Sequence, residues 1–276
     1  MMYLGIDTAA RLTAEQAHKL VDNGVSFVGR YLAPGKDLTP QEVKNLRDVG
    51  LAIMLCWETT ASRIKDGATA GATDAARARE AAEKLGIPAG AVIYFACDYN
   101  APESDYASIE AYLRTASYNV GGYGVGLYGP EKVVAEMSAR GVCYYIWQCV
   151  AWSNQFLPCA DVRQYAWQGD PRAREMALKC GIGAVDLDSA ETLAGMWLPP
   201  AAPAEDPWYK PHMDWAKENG LIMDGRPNDY VTRAELATEQ ERAFDLGKRM
   251  VAEMISEAIK NLQPEDDKKF SGLISN

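Results

Sequence analysis

Histidine is nearly absent from this chain, with only His18 and His212 in 276 residues. Cysteines stand at Cys56, Cys97, Cys143, Cys149, Cys159 and Cys180, and no two form a Cys-x-x-Cys pair. Structural zinc is held by thiolates and imidazoles at short spacings, so no metal cluster is expected, and no cofactor either. Basic charge is also scarce: 28 Lys and Arg stand against 38 Asp and Glu, for a net charge of −10. Neutralising phosphates takes a basic face, so nucleic acid is excluded as a dedicated partner. The same balance opposes docking on anionic lipid, and no apolar run reaches membrane-spanning length. The opening MMYLGIDTAA has no basic segment leading into an apolar one, so no secretory signal is read there. Thiols without a pairing framework suit a reducing compartment, and the cysteines are expected to be free.

Short apolar and aromatic runs are plentiful. They are MYLGID (2–7), VSFVGRYL (25–32), LAIMLCWE (51–58), VIYFACD (92–98), VGLYG (125–129), YYIWQC (144–149), VRQYAW (162–167) and AVDLD (184–188). Helical patterns separate them. In TAEQAHKLVDNG (13–24), Thr13 is the expected N-cap and Gly24 the stop. In TPQEVKNLRDVG (39–50), Thr39 caps, Pro40 opens the first turn and Gly50 stops. Further helices are expected over 70–85, 104–117, 130–140, 171–179 and 189–195. Alternating strands and helices imply parallel strands with right-handed crossovers. Eight such units fit an α/β fold, a (β/α)8 TIM-type barrel with irregular later units. A doubly wound sheet is the alternative, but no glycine-rich phosphate fingerprint follows the first strand. WLPPAAPAEDP (197–207) then reads as an extended linker. The expected domains are a barrel over 1–197, a linker over 198–207 and a small helical unit over 208–276.

Several strand ends carry polar residues that a packed barrel does not need. In a (β/α)8 barrel those ends converge on one mouth, where active sites sit. Asp7, Glu58, Asp98 and Asp186 are the candidate catalytic acids. Arg30, Tyr31, Tyr99, Asn100, Tyr128, Gln148, Trp152, Gln164 and Asp188 are the candidate substrate-binding residues. Glu58 and Asp98, on neighbouring strands about 4.8 Å apart, bring their carboxyls within roughly 5–8 Å of each other, the span of paired-carboxylate glycoside hydrolysis. Aromatic rings nearby would stack on sugar faces and raise a carboxyl pKa. Plainer readings compete. Asp7 and one of Asp186 and Asp188 also read as N-caps of the helices that follow them, and tyrosines and tryptophans taken singly read as core.

GID (5–7), GRYL (29–32), YFACDYN (94–100), GLYG (126–129), WQC with AWS (147–153), QY (164–165) and VDLD (185–188) occur in that order. As an ordered set they resemble the glycoside-hydrolase-like domain once catalogued as domain-of-unknown-function family 1906. That family is a relative of the family 25 glycoside hydrolases, the lysozyme-type muramidases with a (β/α)8 barrel. The resemblance covers about residues 1–197 and implies a phage endolysin-like enzyme cutting bacterial peptidoglycan. The family 25 acids of strands one, four and eight fall on Asp7, Asp98 and Asp186. The acid/base Glu of its Asp-x-Glu motif falls on Asn100, and an amide is no proton donor to a leaving alkoxide. Glu58 is then the expected general acid/base, with Asp98 stabilising the oxocarbenium ion or orienting the 2-acetamido group. The alternative is a degenerate barrel that binds wall glycan without cutting it. A third reading is an intracellular barrel enzyme acting on a small sugar.

The segment WAKENGLIMDGRPNDYVTRAELATEQERAF (215–244) resembles a single S-layer homology repeat. This implies binding to the cell wall and its secondary polymers, with Trp215, Arg233 and Glu235 as the candidate residues. Thr232 and Glu235 also read as a capping box. The helix expected from 234 to about 262 has a partial apolar stripe suited to its own or another copy, a homo-oligomer, rather than a membrane. The expected location is the host cytoplasm until lysis, then the bacterial wall.

Overall fold

The computed structural model describes residues 2–199, all within one compact unit, Met1–Ala202. The expected linker beyond 199, the helical unit over 208–276 and the wall-binding candidates Trp215, Arg233 and Glu235 lie outside the described residues. Eight strands close into a barrel in sequence order. They are β1 (Tyr3–Asp7), β2 (Val25–Tyr31), β3 (Ala52–Trp57), β4 (Val92–Ala96), β5 (Gly124–Gly129), β6 (Tyr145–Cys149), β7 (Val162–Ala166) and β8 (Asp186–Ala190). Six α-helices are described: α1 (Ala14–Asp22), α2 (Pro40–Asp48), α3 (Gly67–Lys84), α4 (Tyr106–Asn119), α5 (Glu131–Ala139) and α6 (Pro171–Cys180).

Local chemistry sets the early boundaries as the sequence implies. Thr13 caps α1 in a reciprocal box with Gln16, and the Thr39 side chain accepts from Glu42 N at the start of α2. The barrel has two apolar layers. Residues such as Ile6, Val28, Ile53, Ile93, Phe95 and Leu127 face the helices. Phe27, Met54, Tyr94, Trp147 and Val162 fill the interior. Small residues make room for large ones there. A Cβ on Gly126 would stand 2.5 Å from Tyr94 Cδ1, so the tyrosine ring occupies the space a side chain would take.

The later units depart from a regular barrel in two respects. β8 runs antiparallel to both β1 and β7, against the expectation of parallel strands throughout. The cause lies in the chain before it. Gly181, left-handed at φ 69°, ends α6 beside the first turn of α1, where Gln16 Nε2 donates to its carbonyl at 2.6 Å. Thr8 Oγ1 then donates to Ala184 O at 2.7 Å, at the end of β1. The chain therefore re-enters the sheet from the mouth. The helix expected over 189–195 is also absent. Ser189 and Ala190 complete β8, and Thr192 Oγ1 accepts from Ala194 N in a local turn that competes with a helix. Asp186 and Asp188 consequently cap no helix; both are strand residues. The chain next passes beneath the barrel, where Met196 joins the interior cluster and Trp197 exchanges backbone bonds with Ile53 at 2.8 and 2.9 Å.

Candidate functional site

The antiparallel β8 places Asp186 at the mouth by its first residue, paired with Asp7, the last residue of β1. Gly29 on β2 stands opposite Asp7, and a Cβ there would come within 2.7 Å of Asp7 Cβ. Gln164 of β7 ties the floor together. Its Nε2 donates to Asp7 Oδ2 at 2.7 Å and Asp186 Oδ2 at 3.1 Å, and its Oε1 accepts from Tyr128 Oη at 2.9 Å. One amide thus orients two carboxyls and a phenol. Asp188 lies one layer deeper and is fully buried. Trp147 Nε1 donates to its Oδ1 at 2.8 Å, while Oδ2 has no donor and the carboxyl faces Asp7.

On the other side, Glu58 follows β3 and Asp98 follows β4, and these strands pair with Trp57 opposite Phe95. Asp98 N donates to Ala61 O at 2.9 Å, which fixes its backbone against the segment after Glu58. Lys36, from the loop after β2, forms an ion pair with Glu58 and places its Nζ 3.8 Å from the centre of the Tyr31 ring. A cavity of about 190 Å³ lies on the β1–β8 side of the mouth, bounded by Asp7, Thr8, Tyr31, Gln168 and Asp186 together with the apolar Ala9, Ala10, Ala184 and Val185.

Crowding acids in a half-dry site disfavours their charged forms. Burial, then the Asp186 charge, pushes Asp7 up to about 7, against hydrogen bonds from Gln164 and Asp188. Burial lifts Asp186 to about 6, opposed by Gln168 N donating to its Oδ1 at 2.5 Å. Burial, then Glu58, raises Asp98 to about 6, with Lys36 pulling the other way. Asp188 is held well above the ordinary carboxylate range by burial and by Asp7. The site therefore stores protons on aspartates near neutral pH. Among the described residues no group of His, Cys, Asp and Glu is arranged to hold a metal ion.

Asp7, Tyr31, Glu58, Asp98, Tyr128, Gln164 and Asp186 thus meet at the mouth, with Asp188 beneath them. Other candidates are placed elsewhere. Arg30 is fully buried on the outer face of β2, not at the mouth. Its Nε donates to Glu42 Oε1 at 2.6 Å, and its terminal nitrogens reach Thr8 O at 2.5 Å and Lys36 O at 3.3 Å. Gln148 likewise points outward, bonding Gln155 O at 2.6 Å and Leu157 N at 2.9 Å in the β6–β7 connection. Tyr99 turns to Asp105, its hydroxyl donating at 2.8 Å, and packs on the outer layer. Asn100 is exposed beyond it. Trp152 lies in the β6–β7 connection, half exposed and at φ 56°. Lys36 and Gln168 were not anticipated; both sit in loops, where no spacing marks them.

The sequence pattern of the Rv2525c-like, glycoside hydrolase-like domain matches residues 18–189. Two proteins of Bacillus subtilis (strain 168), described as uncharacterized proteins YbfG and FadG, are 31% and 30% identical over 163 and 156 residues. Each match takes in 50% of this chain but only 22% and 26% of those proteins, so the chain spans about a quarter of their length. Among solved structures, the Tat-secreted protein Rv2525c of Mycobacterium tuberculosis in complex with L-tartrate gives a TM-score of 0.60 at 23% identity. That match covers 71% of this chain and 98% of that one. An uncharacterized B. stearothermophilus protein gives 0.51 at 21% identity, over 71% and 100% of the two chains. Both likenesses are of fold.

Proposed function

This chain belongs to the Rv2525c-like, glycoside hydrolase-like domain family, and from that premise we propose that its barrel mouth hydrolyses glycosidic bonds of bacterial cell-wall glycan. The observation that carries the reading is Asp98, a half-buried carboxyl at the mouth held at about 6 among other acids. A general acid works best when its pKa lies near the operating pH. Asp98 would protonate the leaving glycosidic oxygen. Asp186, braced by Gln164 and Gln168 N, would face the sugar cation as it forms. Glu58, assigned the proton donor from the sequence, is instead engaged by Lys36, so the donor role moves to Asp98. Asp7 and Asp188, both buried, would set the charge of the floor rather than touch the sugar.

The test is reducing-end release from purified Gram-positive peptidoglycan. Wild type should release ends, and Asp98→Asn should lose at least 100-fold in rate with little change in Tm. Release by Asp98→Asn at the wild-type rate would remove Asp98 from the role.

A second reading, glycan binding without cleavage, is favoured by Asn100 where the family 25 pattern has its acid. It predicts that the protein pellets with walls while releasing nothing. For residues 208–276 a wall-binding role rests on the sequence resemblance to an S-layer homology repeat. Action at the wall in the manner of an endolysin rests on the resemblance of the barrel.

A further inference from the structure

Tyr128 stands between the two sides of the mouth. Its Oη donates to Gln164 Oε1 at 2.9 Å, and Gln164 Nε2 continues the chain to Asp7 and Asp186. The same hydroxyl lies within hydrogen-bonding reach of the Asp98 carboxyl, where it favours the ionised form. A phenol has one proton to donate, so it serves one of these acceptors at a time. A third neighbour, the Cys149 thiol, is turned away and donates to Ala151 O at 3.2 Å.

The ring itself is held. β5 pairs Tyr128 with Ala96 of β4 on one side and Trp147 of β6 on the other. The Trp147 ring packs on it with centroids 4.4 Å apart, and Asp188 fixes Trp147 in turn. Cys97 N donates to Tyr128 O at 2.8 Å, which ties the residue before Asp98 to the same strand. Rotation about the phenol C–O bond is the motion this leaves. Burial, with Cys149, Asp7, Asp98 and Tyr31 nearby, pushes the phenol far above its ordinary range, so it keeps its proton.

We propose that the Tyr128 hydroxyl is a two-position donor, given to Gln164 while Asp98 is protonated and to the Asp98 carboxylate once that proton has left. The inference takes its catalytic meaning from the reading of Asp98 as proton donor, and it makes Tyr128 a positioning residue for that step. The Asp98 proton goes to the leaving glycosidic oxygen; no proton leaves Tyr128, whose O–H bond only changes direction. A hydrogen bond to a carboxylate is roughly twice as strong as one between neutral groups, so the new charge draws the hydroxyl over. Glu58, Lys36 and Asp186 also face Asp98. Two are acids, and Lys36 is engaged by Glu58, which leaves the Tyr128 hydroxyl to meet the charge.

The experiment is carbon-13 NMR of the full chain, labelled at aspartate carboxyls and tyrosine Cζ and titrated from about pH 3 to about pH 9. In wild type the Tyr128 Cζ signal should follow pH with the Asp98 midpoint, although the phenol does not ionise there. A flat signal would overturn the proposal. In Asp98→Asn that step should vanish; its persistence would assign it to Asp7 or Asp186 and overturn the proposal equally. In Tyr128→Phe the Asp98 midpoint should rise by about half a pH unit or more, while Asp161, held by Ile146 N at the start of β6, stays where it was. An unmoved Asp98, or equal movement of both, would also overturn it. None of these readouts needs turnover. In the reducing-end assay the alkaline limb of the pH–rate profile should move up with Asp98 in Tyr128→Phe. A wild type that releases no ends, while the titrations come out as expected, would sink the glycan reading and leave the two-position donor standing.

Discussion

Asp7→Asn probes the electrostatics of the barrel floor most directly. The folded protein holds this carboxyl at about 7 rather than the ordinary 3.8. A group whose pKa is raised by folding contributes its full stability below its unfolded pKa and loses it as pH rises through the folded one. For Asp7 the loss runs from about pH 4 to about pH 7, so the barrel weakens toward alkaline pH. Displacing a carboxyl pKa across that range costs on the order of 4 kcal/mol at pH 8. Asparagine has nearly the same shape. Its oxygen keeps the bond from Gln164 and carries no charge for burial to oppose. In wild type, proton sharing with Asp186 and Asp188 relieves part of the cost, so about half, roughly 2 kcal/mol, is the expected gain. For a chain of this size that is about 4–8 °C in Tm at pH 8 and close to zero at pH 4. Scanning calorimetry of both proteins at pH 4, 6 and 8 reads the difference. A variant melting at or below wild type at pH 8 refutes the reasoning.

Arg30→Ala leaves Glu42 buried without its partner and should cost about 3–5 kcal/mol in urea unfolding; a loss under 1 kcal/mol would mean that the pair is not desolvated. Lys36 pulls the Asp98 pKa down, so Lys36→Met should move the alkaline limb of the pH–activity profile to higher pH. An unmoved limb would show that Asp98 is not the group being titrated. Gly126→Ala drives a methyl into the Tyr94 ring and should cost about 1–3 kcal/mol in the same unfolding assay; wild-type stability would show slack in the barrel interior.

The order of strands and the converging acids were legible because they follow from local pattern. Apolar runs between capped helices locate strands, and an acid at the end of a buried run has few places to go but the rim. The direction of β8 was not legible. A period of two reads the same up or down, and the direction here is decided by Gln16 with Gly181 and Thr8 with Ala184, contacts that span more than 160 residues. The misplacement of Arg30 and Gln148 was avoidable. Each adjoins an inward-facing residue, Tyr31 and Trp147, and alternation along a strand sends neighbours to opposite faces. Applied strictly, that parity would have kept Tyr31 and Gln164 at the mouth and removed Arg30 and Gln148. Lys36 depended on tertiary placement: the backbone carbonyl that Arg30 holds and the Tyr31 ring bring it to the mouth from a loop.

The reversal of β8 also settles where the barrel can be tethered. Tyr3 at the start of β1 pairs with Ala190 at the end of β8, and Trp197 is stitched to Ile53 low on β3, so the chain enters and leaves through the end opposite the acids. In a barrel of eight parallel strands a closing helix after the last strand makes that return; here β8 makes it itself. Here an attachment at residue 198 grips the molecule by its base, as a lamp is held by its socket. The barrel immobilised on a bead through that point presents its open end outward, free to meet a polymer too large to enter a crowded surface.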